Sequence, residues 1–224
     1  MLFDLENYEK PKTQIDTVYN RLKQDIIYGV IPEGSFFSNE EISKKYQVGR
    51  SPVREAIRKL ETDGLVLIRP QVGVLVAPLT VKEFQEITEM RVVLEKLAVE
   101  HLVRNRDKAD FSPIDRLTLW EQNETDPQKL AMIRLQIHLE IYNLSGQTIL
   151  YKVLSQLYDK FSRYVLFYAN SVGQNTVHAQ SEHKHDELVE RIKHGTKQVI
   201  CDLLNKHIYE FYDEIIALLE SRKD

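Results

Sequence analysis

Positive charge is concentrated in one short segment of this chain. Residues 44–59 hold six lysines or arginines and a single acid, although the 224-residue chain has a formal net charge of -4. Lysine and arginine neutralise the phosphates of nucleic acid, and arginine also offers a forked donor that matches the O6 and N7 acceptors of guanine. The segment is therefore a candidate nucleic-acid contact, and the alternative is an ordinary solvated helix face. Its basic residues are Lys44, Lys45, Arg50, Arg54, Arg58 and Lys59.

Histidine is the second residue type with a suggestive distribution. Six of the seven histidines lie in the last 90 residues, and His138, His185 and His207 fall on three separate stretches with helical apolar spacing. Imidazoles that converge from facing helices of a bundle can hold a divalent metal. Spacing does not establish that they converge, so the competing interpretation is an isolated surface or core histidine at each position.

The basic segment lies within a recognisable order of elements. Apolar residues at steps of three and four predict a helix over residues 14–27, and Ser38 with Glu41 predicts a capping box that opens a short helix over residues 40–46. Ser51 is a good cap for a third helix, which Pro52 would begin and which ends before Gly64. The stretches "LVLIR" and "VLVAP", separated by "PQVG", then predict a two-stranded hairpin.

This order of helices and hairpin is that of a winged helix-turn-helix. In that fold the last helix enters the major groove of DNA with its amino end first. Arg54 and Arg58 are four residues apart and share a face of this helix, with Arg50 and Ser51 at its amino end. Its buried face consists of Val53, Ala56, Ile57 and Leu60.

The second half of the chain shows helical spacing throughout. Pro78 marks a junction, after which Thr80 and Glu83 form the start signal of a helix. We therefore expect a mainly α protein with a winged helix-turn-helix domain at 1–78 and an all-α helical bundle at 79–224. A short helix around "DRLTLWEQ" joins five longer predicted helices: residues 84–103, 127–144, 149–170, 179–194 and 197–221.

Composition limits the class of protein. Hydrophobic residues make up 42% of the chain and charged residues 29%, as in folded globular domains. The amino terminus lacks a basic segment followed by an apolar one, and no run of about 18 apolar residues occurs, so we expect a cytoplasmic protein. The single cysteine, Cys201, excludes a disulfide framework within the chain and fits a reducing compartment.

These features resemble the GntR family of bacterial transcription regulators, in particular the FadR-type subfamily with an all-helical FCD effector domain. The resemblance spans about residues 12–220. It rests on "IPEGSFFSNEEISKKYQVGRSPVREAIRKLETDGLV" and the following "RPQVGVLVAPL", and in the second half on "RVVLEKLA", "HLEIYNLSGQTIL", "HDELVERIKHG" and "NKHI". It implies a homodimer, most simply a repressor, that binds a palindromic operator in double-stranded DNA and responds to a small metabolite.

The resemblance also assigns roles in DNA binding. Arg50, Ser51 and Arg54 match the base and phosphate contacts of the family, and Gly73 matches its wing-tip glycine. Arg58 is a plausible contact to the DNA backbone that follows from its charge and not from the resemblance.

In the effector domain the family commonly binds a divalent metal, such as zinc, nickel or manganese, through one aspartate and three histidines, with a small carboxylate completing the site. His138, His185 and His207 match the three histidines. Arg91 matches a position where the family often has an arginine near the ligand. The alternative for Arg91 is a surface ion pair with Glu95, four residues later.

The aspartate is absent. The family places it one helical turn before the first histidine, where this chain has Arg134. An arginine cannot ligate a metal. Either the three histidines still bind a metal while Arg134 swings aside or grips the carboxylate of the effector, or the metal is lost and Arg134 itself holds an anionic effector. The charge of Arg134 slightly favours the second interpretation.

Two other classes of protein compete with a ligand-responsive regulator. One is a metal-dependent helical enzyme fused to a DNA-binding domain, although the chain contains no HExxH motif and no nucleophile elbow. The other is an architectural DNA-binding protein without an effector, which would leave the helical half unexplained.

Overall fold

The computed structural model describes residues 13–172 and 185–223, and over these ranges the chain is mainly helical with one small sheet. It divides into two compact units, the first ending at Leu79 and the second beginning at Thr80. The boundary expected from the sequence lies one residue earlier. The element order agrees with the predicted fold class, a winged helix-turn-helix unit followed by an all-helical unit.

The first unit has the predicted helices and their caps. Thr13 accepts a hydrogen bond from the amide of Asp16 at the start of the first helix, and Ser38 forms the predicted capping box with Glu41. Such caps satisfy amides that have no partner inside the helix. The elements are α1 (Gln14–Ile27), β1 (Phe36–Phe37), α2 (Asn39–Tyr46), α3 (Arg50–Thr62), β2 (Val66–Arg69) and β3 (Gly73–Val76).

The start of α3 differs from the prediction. The helix begins at Arg50 after Gly49, and no side chain caps it. The prediction that Ser51 caps the helix is therefore wrong by two positions. Pro52 is tolerated as the third helical residue because amides of the first turn have no partner inside a helix. Ser51 consequently lies exposed in the first turn.

The wing contains one strand more than the two predicted. The strands form an antiparallel sheet in the order β1-β3-β2, in which Phe37 lies opposite Val74 and Arg69 lies opposite Gly73. A strand of two residues has no alternating pattern that the sequence could reveal. Its effect is that β3 is paired along both edges, which fixes the hairpin against the helices.

One apolar core holds the first unit together. Val18 and Leu22 of α1 are fully buried, as are Val53 and Leu60 of α3. Burial of each such side chain contributes about 1.5–3 kcal/mol relative to exposure. Because α3 commits this face to the core, its opposite face is turned to solvent.

The regular structure described in the second unit is entirely helical. Thr80 accepts a hydrogen bond from the amide of Glu83, as predicted for the first helix. The part of the predicted 179–194 helix that precedes His185 lies outside the described residues. The helices are α4 (Val81–Asn105), α5 (Ser112–Asn123), α6 (Pro127–Asn143), α7 (Thr148–Val172), α8 (His185–His194), α9 (Lys197–Tyr209) and α10 (Tyr212–Glu220), with 3-10 turns at Arg106–Lys108 and Ser221–Lys223.

The prediction of a single helix over residues 197–221 is wrong, because α9 ends at Tyr209 and α10 begins at Tyr212. Between them Phe211 leaves the helical conformation with φ -107° and ψ 9°. Its ring instead packs against Tyr168, with the ring centroids 5.6 Å apart. The segment has neither glycine nor proline, so no local signal marks this break.

Helix α6, which carries His138, is the deeply buried helix of the helical unit. Its buried residues Leu130, Ile133, Ile137 and Ile141 leave little of its circumference to solvent. Helices α4, α5 and α7 pack against it. Over residues 13–172 and 185–223, no helix combines the length and the apolar character that crossing a membrane requires.

Candidate functional site

Three histidines from different helices meet in the interior of the helical unit. Nε2 of His138 lies 3.0 Å from Nε2 of His207 and 3.1 Å from Nε2 of His185. His138 and His185 are buried, and His207 is partly buried. Each of the three histidines offers one ring nitrogen as a ligand atom, and these nitrogens all lie within 4.8 Å of one another. The structure therefore establishes the convergence that sequence spacing left open.

A buried phenol fixes the orientation of His138. Its Nδ1 lies 2.9 Å from the hydroxyl of Tyr142, which in turn donates to the buried carboxylate of Glu95. Burial, followed by the charge of Glu95, holds the pKa of Tyr142 well above its usual value, so the hydroxyl keeps its proton. Because that proton goes to Glu95, the hydroxyl accepts from His138. Nδ1 of His138 therefore carries the hydrogen, and its Nε2 presents a lone pair to the other histidines.

A carboxylate performs the same task for His185. Both oxygens of Glu121 lie 3.0 Å from Nδ1 of His185, and the amide of His185 donates to the same carboxylate at 3.2 Å. Burial lowers the pKa of His185 more than Glu121 raises it, so the ring is neutral. Burial alone would raise the pKa of Glu121, but the hydrogen bond from His185 and the charge of Arg134 lower it. The carboxylate therefore stays ionised and holds the hydrogen of His185 on Nδ1.

The arrangement fits a divalent metal. His207 also has an acid behind it, because its Nδ1 lies 3.6 Å from Glu210. Metal-binding histidines usually have such partners on the ring nitrogen that does not coordinate. Tetrahedral zinc with bonds of about 2.0–2.1 Å to nitrogen would place its ligand nitrogens about 3.3 Å apart, close to the separations of His138 Nε2 from the other two rings. Three imidazoles leave a fourth coordination position for a ligand or water.

Arg134 is engaged by the same carboxylate. Its Nε donates to Glu121 at 2.8 Å, and its side chain is 16% exposed. Glu121 therefore binds both Arg134 and His185. The positive charge of Arg134 is compensated within the protein at the position where the resemblance implies an aspartate.

Arg91 is buried rather than at the surface, which corrects the alternative of a surface ion pair. Its Nε donates to Glu95 at 2.6 Å, so the predicted partner is right but both side chains are at most 3% exposed. Its guanidinium also donates to the hydroxyl of Tyr158 and lies 3.7 Å from the ring centroid of Phe161. Because Glu95 also accepts from Tyr142, the network around Arg91 continues to His138.

One cavity adjoins these groups. Its volume is about 110 Å³. Its walls come chiefly from α6 and α7, with further residues of α4, α8, α9 and α10, and are largely apolar. Phe211, in the break before α10, also lines it. The residues that the sequence assigns to effector binding all line this cavity: Arg91, Arg134, His138, His185 and His207.

Sequence reasoning missed Glu121, which belongs to α5. Ile114, Leu117 and Thr118 precede it at steps that place all four on one buried face of the helix. An acid on the buried face of a helix indicates a partner inside the protein, since an ionised carboxylate is rarely buried without one. The sequence does not show which partner it has. Its partners lie 13 and 64 residues further along the chain.

The arginines of α3 lie on the exposed face of that helix, away from Val53, Ala56, Ile57 and Leu60. Arg50 lies 3.8 Å from Glu40, and Arg58 lies 3.4 Å from Glu55. Exposed ion pairs of this kind contribute about 0–1 kcal/mol, so these arginines can exchange their partners for phosphates at little cost. The predicted contacts on this helix are all exposed: Arg50, Ser51, Arg54 and Arg58.

Gly73 has a structural role in the wing. It is the first residue of β3, with φ +137°, and a Cβ there would lie 3.0 Å from the carbonyl oxygen of Phe37. Any other residue would be strained by this backbone conformation and crowded by β1. Gln71, with φ 64°, lies in the turn between β2 and β3. The structure thus places Gly73 at the base of the turn, beside β1.

Two family descriptions match the chain. Residues 14–76 match the family described as "Bacterial regulatory proteins, gntR family", and residues 86–210 match the FCD domain. The first match covers the helices and sheet of the first unit. The second includes α5, α6, α8 and α9, and hence the three histidines and Glu121.

Two known proteins match half of the chain or more. It is 28% identical to the HTH-type transcriptional regulator YdhC of Bacillus subtilis over 214 residues, which are 90% of this chain and 95% of YdhC. It is 32% identical to the gluconate operon transcriptional repressor of Bacillus subtilis over 114 residues, which are 51% of this chain and 44% of that protein.

Solved structures share the fold. A GntR transcriptional regulator from Rhodococcus sp. RHA1 superposes with a TM-score of 0.77 at 18% identity and covers 91% of this chain and 98% of its own. McbR/YncC of E. coli superposes with a TM-score of 0.74 at 20% identity and covers 95% of this chain and 99% of its own.

Proposed function

The chain belongs to the GntR family of bacterial regulatory proteins and carries an FCD domain, and from this premise we propose that it represses transcription as a homodimer on a palindromic operator. It is a transcription regulator and not an enzyme, since the families and relatives that it matches are regulators. Such a protein acts in the cytoplasm, where the DNA is.

Helix α3 and the wing bind the operator. Arg50, Ser51 and Arg54 lie at its exposed amino end, which is the end that enters the major groove in this type of domain. Arg54 reads a base edge or a phosphate, and Arg58, one turn further on, contacts the DNA backbone. Gly73 keeps the wing strand close to β1 so that the turn before it can approach the minor groove.

A divalent metal binds His138, His185 and His207. The observation that carries this proposal is that Tyr142 and Glu121 bind Nδ1 of His138 and of His185, while Nε2 of His138 lies 3.1 Å from Nε2 of His185 and 3.0 Å from Nε2 of His207. Lone pairs about 3 Å apart repel unless a cation or proton lies between them. Zinc, nickel and manganese all accept imidazole ligands. The metal supplies a positive charge and a coordination position for an anion.

The effector is a small carboxylate that enters the cavity beside the histidines. Arg91 and Arg134 line the cavity, but their charges are already balanced by Glu95 and Glu121. The pairing of Arg134 supports the first interpretation of the missing aspartate over the second. The metal, and not Arg134, therefore provides the charge that attracts the effector.

A second copy of the chain covers the exposed apolar stripe of α4. Met90, Val93 and Leu97 recur at helical spacing on this helix and are 47%, 65% and 42% exposed. Their spacing forms one stripe, opposite the face that carries Arg91 and Glu95 into the core. A palindromic operator requires two-fold related copies, and a stripe of this kind can pair with itself about a two-fold axis.

The effector controls DNA binding by shifting the population of conformations. It can do so only to the extent that it binds the DNA-free conformation more tightly than the DNA-bound one. The cavity is lined by Phe84 and Arg91 of α4 and by Tyr212 and Ile215 of α10, so a ligand would contact the first and the last α-helix described in the helical unit. Release of the operator on effector binding is the expected direction.

A selection from random duplexes tests this proposal. The protein should enrich a palindrome whose half-sites are spaced by about one helical turn of DNA, about 10 base pairs. Fluorescence anisotropy on that duplex, with and without millimolar carboxylates, then measures release. Enrichment of no sequence, or a complex that no carboxylate weakens in metal-loaded protein, would contradict the proposal.

A further inference from the structure

The walls of the cavity discriminate among carboxylates. Away from the histidines the lining is mainly apolar and includes Phe84, Leu130, Leu135, Phe161, Val165 and Ile215. Such a surface favours apolar atoms and gives no hydrogen bond to a hydroxyl or a second carboxylate. The three histidines meet in one part of the lining, and the other polar side chains of the wall are Arg91, Arg134, Tyr168 and Tyr212.

Apart from Tyr212, the other polar side chains that line the cavity are committed to partners inside the protein. The hydroxyl of Tyr168 donates to Glu214, and the guanidinium of Arg91 is bound by Glu95 and covered by the ring of Phe161. A ligand that approached either group would have to replace an existing contact. Several hydroxyls on one ligand would therefore lose their bonds to water and find at most the hydroxyl of Tyr212 as a replacement.

The excess positive charge that a ligand would meet is confined to one part of the cavity. Arg91 with Glu95 and Arg134 with Glu121 are neutral as pairs. A divalent metal held by His138, His185 and His207 would provide the excess positive charge, beside the histidines. A second carboxylate at the apolar end would lose its hydration without gaining a counter-charge.

From these observations we infer that the effector is a monocarboxylate with a compact apolar body, aliphatic or aromatic, rather than a sugar acid or a dicarboxylate. This inference rests on the proposed function and adds the class of ligand. The volume of about 110 Å³ is of the order of a cavity that holds one benzene molecule, so the body contains about six carbon atoms. The similarity to the gluconate operon repressor covers 51% of this chain and does not decide the ligand of the cavity.

Matched acids test this inference with the full-length, zinc-loaded protein. Hexanoate, adipate and gluconate have six carbons each but differ in a second carboxylate or in hydroxyl groups, and benzoate adds an aromatic body. Isothermal titration calorimetry should give hexanoate or benzoate at least a tenfold lower Kd than adipate and gluconate. Equal or tighter binding of adipate or gluconate would overturn the inference, and so would the absence of binding by both hexanoate and benzoate.

A variant and a second readout separate this inference from the proposed function. Ala169→Leu fills part of the apolar wall away from the histidines and should weaken hexanoate and benzoate at least tenfold with unchanged zinc content. Unchanged affinity for both acids in that variant would contradict the inferred binding mode. Operator release is measured separately by anisotropy. Release by gluconate alone would support the proposed regulator and contradict the inferred apolar monocarboxylate. Tight hexanoate binding without operator release would support the inferred ligand class and contradict the proposed regulation.

Discussion

Arg134 and Glu121 form an ion pair beside the three histidines, with Nε of the arginine 2.8 Å from Oε1 of the glutamate. The arginine stands one helical turn before His138, where the family resemblance implies a metal-binding aspartate. The glutamate comes from α5 and also binds Nδ1 of His185. In this chain an acid is therefore present at the site, but it lies behind a histidine and not among the atoms that would contact a metal.

The position of Glu121 predicts a role in metal affinity. Glu121→Gln should weaken zinc binding about 10–100-fold, because the amide holds the Nδ1 hydrogen of His185 less firmly and leaves Arg134 without its counter-charge. Competition with a fluorescent zinc chelator measures the Kd. Asp115→Asn, an equal change of charge at an exposed position of the same helix, should leave the Kd unchanged. Equal zinc affinities for Glu121→Gln and the wild type would remove Glu121 from the site.

Substitution of Arg134 tests whether the metal or the arginine supplies the positive charge that holds the effector. Arg134→Gln should retain bound metal and bind hexanoate within about tenfold of the wild type, equivalent to about 1.4 kcal/mol. His138→Ala should lose both the metal and the acid. Calorimetry measures hexanoate binding and elemental analysis measures the metal content of each variant. Loss of acid binding in Arg134→Gln, together with its retention in His138→Ala, would show that the arginine holds the anion without a metal.

The exposed face of α3 predicts the effect of removing one arginine. Arg54→Ala should weaken binding to a selected operator about tenfold or more and reduce the salt slope by about one if Arg54 contacts a phosphate. The melting temperature should be nearly unchanged, since the side chain is exposed. Lys82→Ala, which removes an exposed charge from the second unit, serves as the control. Wild-type affinity in Arg54→Ala would refute the assignment of the recognition helix.

The stripe on α4 predicts a change in oligomeric state. Val93→Glu places a charge in the centre of the stripe and should convert the proposed dimer into a monomer that is still folded, because Val93 is 65% exposed within one chain. Light scattering coupled to size-exclusion chromatography measures the mass. Leu119→Glu introduces the same charge at an exposed leucine of α5, and this variant should remain dimeric. A dimeric Val93→Glu variant would place the interface elsewhere.

Local signals predicted much of the fold. The apolar spacing of α1, the capping box of Ser38 and the buried face of α3 each depend on residues within one or two turns, and all are present. Such signals fail where tertiary contacts decide. The break at Phe211 follows packing against Tyr168, and β1 is too short to have a pattern of its own.

The candidate site was predicted in part for the same reason. The three histidines could be proposed from their number and spacing, and from the resemblance, but not the acids behind them. Glu121 reaches His185 across 64 residues of chain, and Glu95 reaches Tyr142 across 47. The burial of Arg91 likewise depends on Tyr158 and Phe161 of another helix. Contacts between distant segments leave no periodic trace in a single sequence.

Metal content is the most direct test of the proposed effector site. The protein is purified without a histidine tag, desalted after incubation with zinc, nickel or manganese, and measured by elemental analysis beside His138→Ala. The predicted result is about one metal ion per chain in the wild type and almost none in the variant, as a single site with three histidine ligands requires. A wild-type protein that holds no metal, or a variant that holds as much as the wild type, would contradict the account.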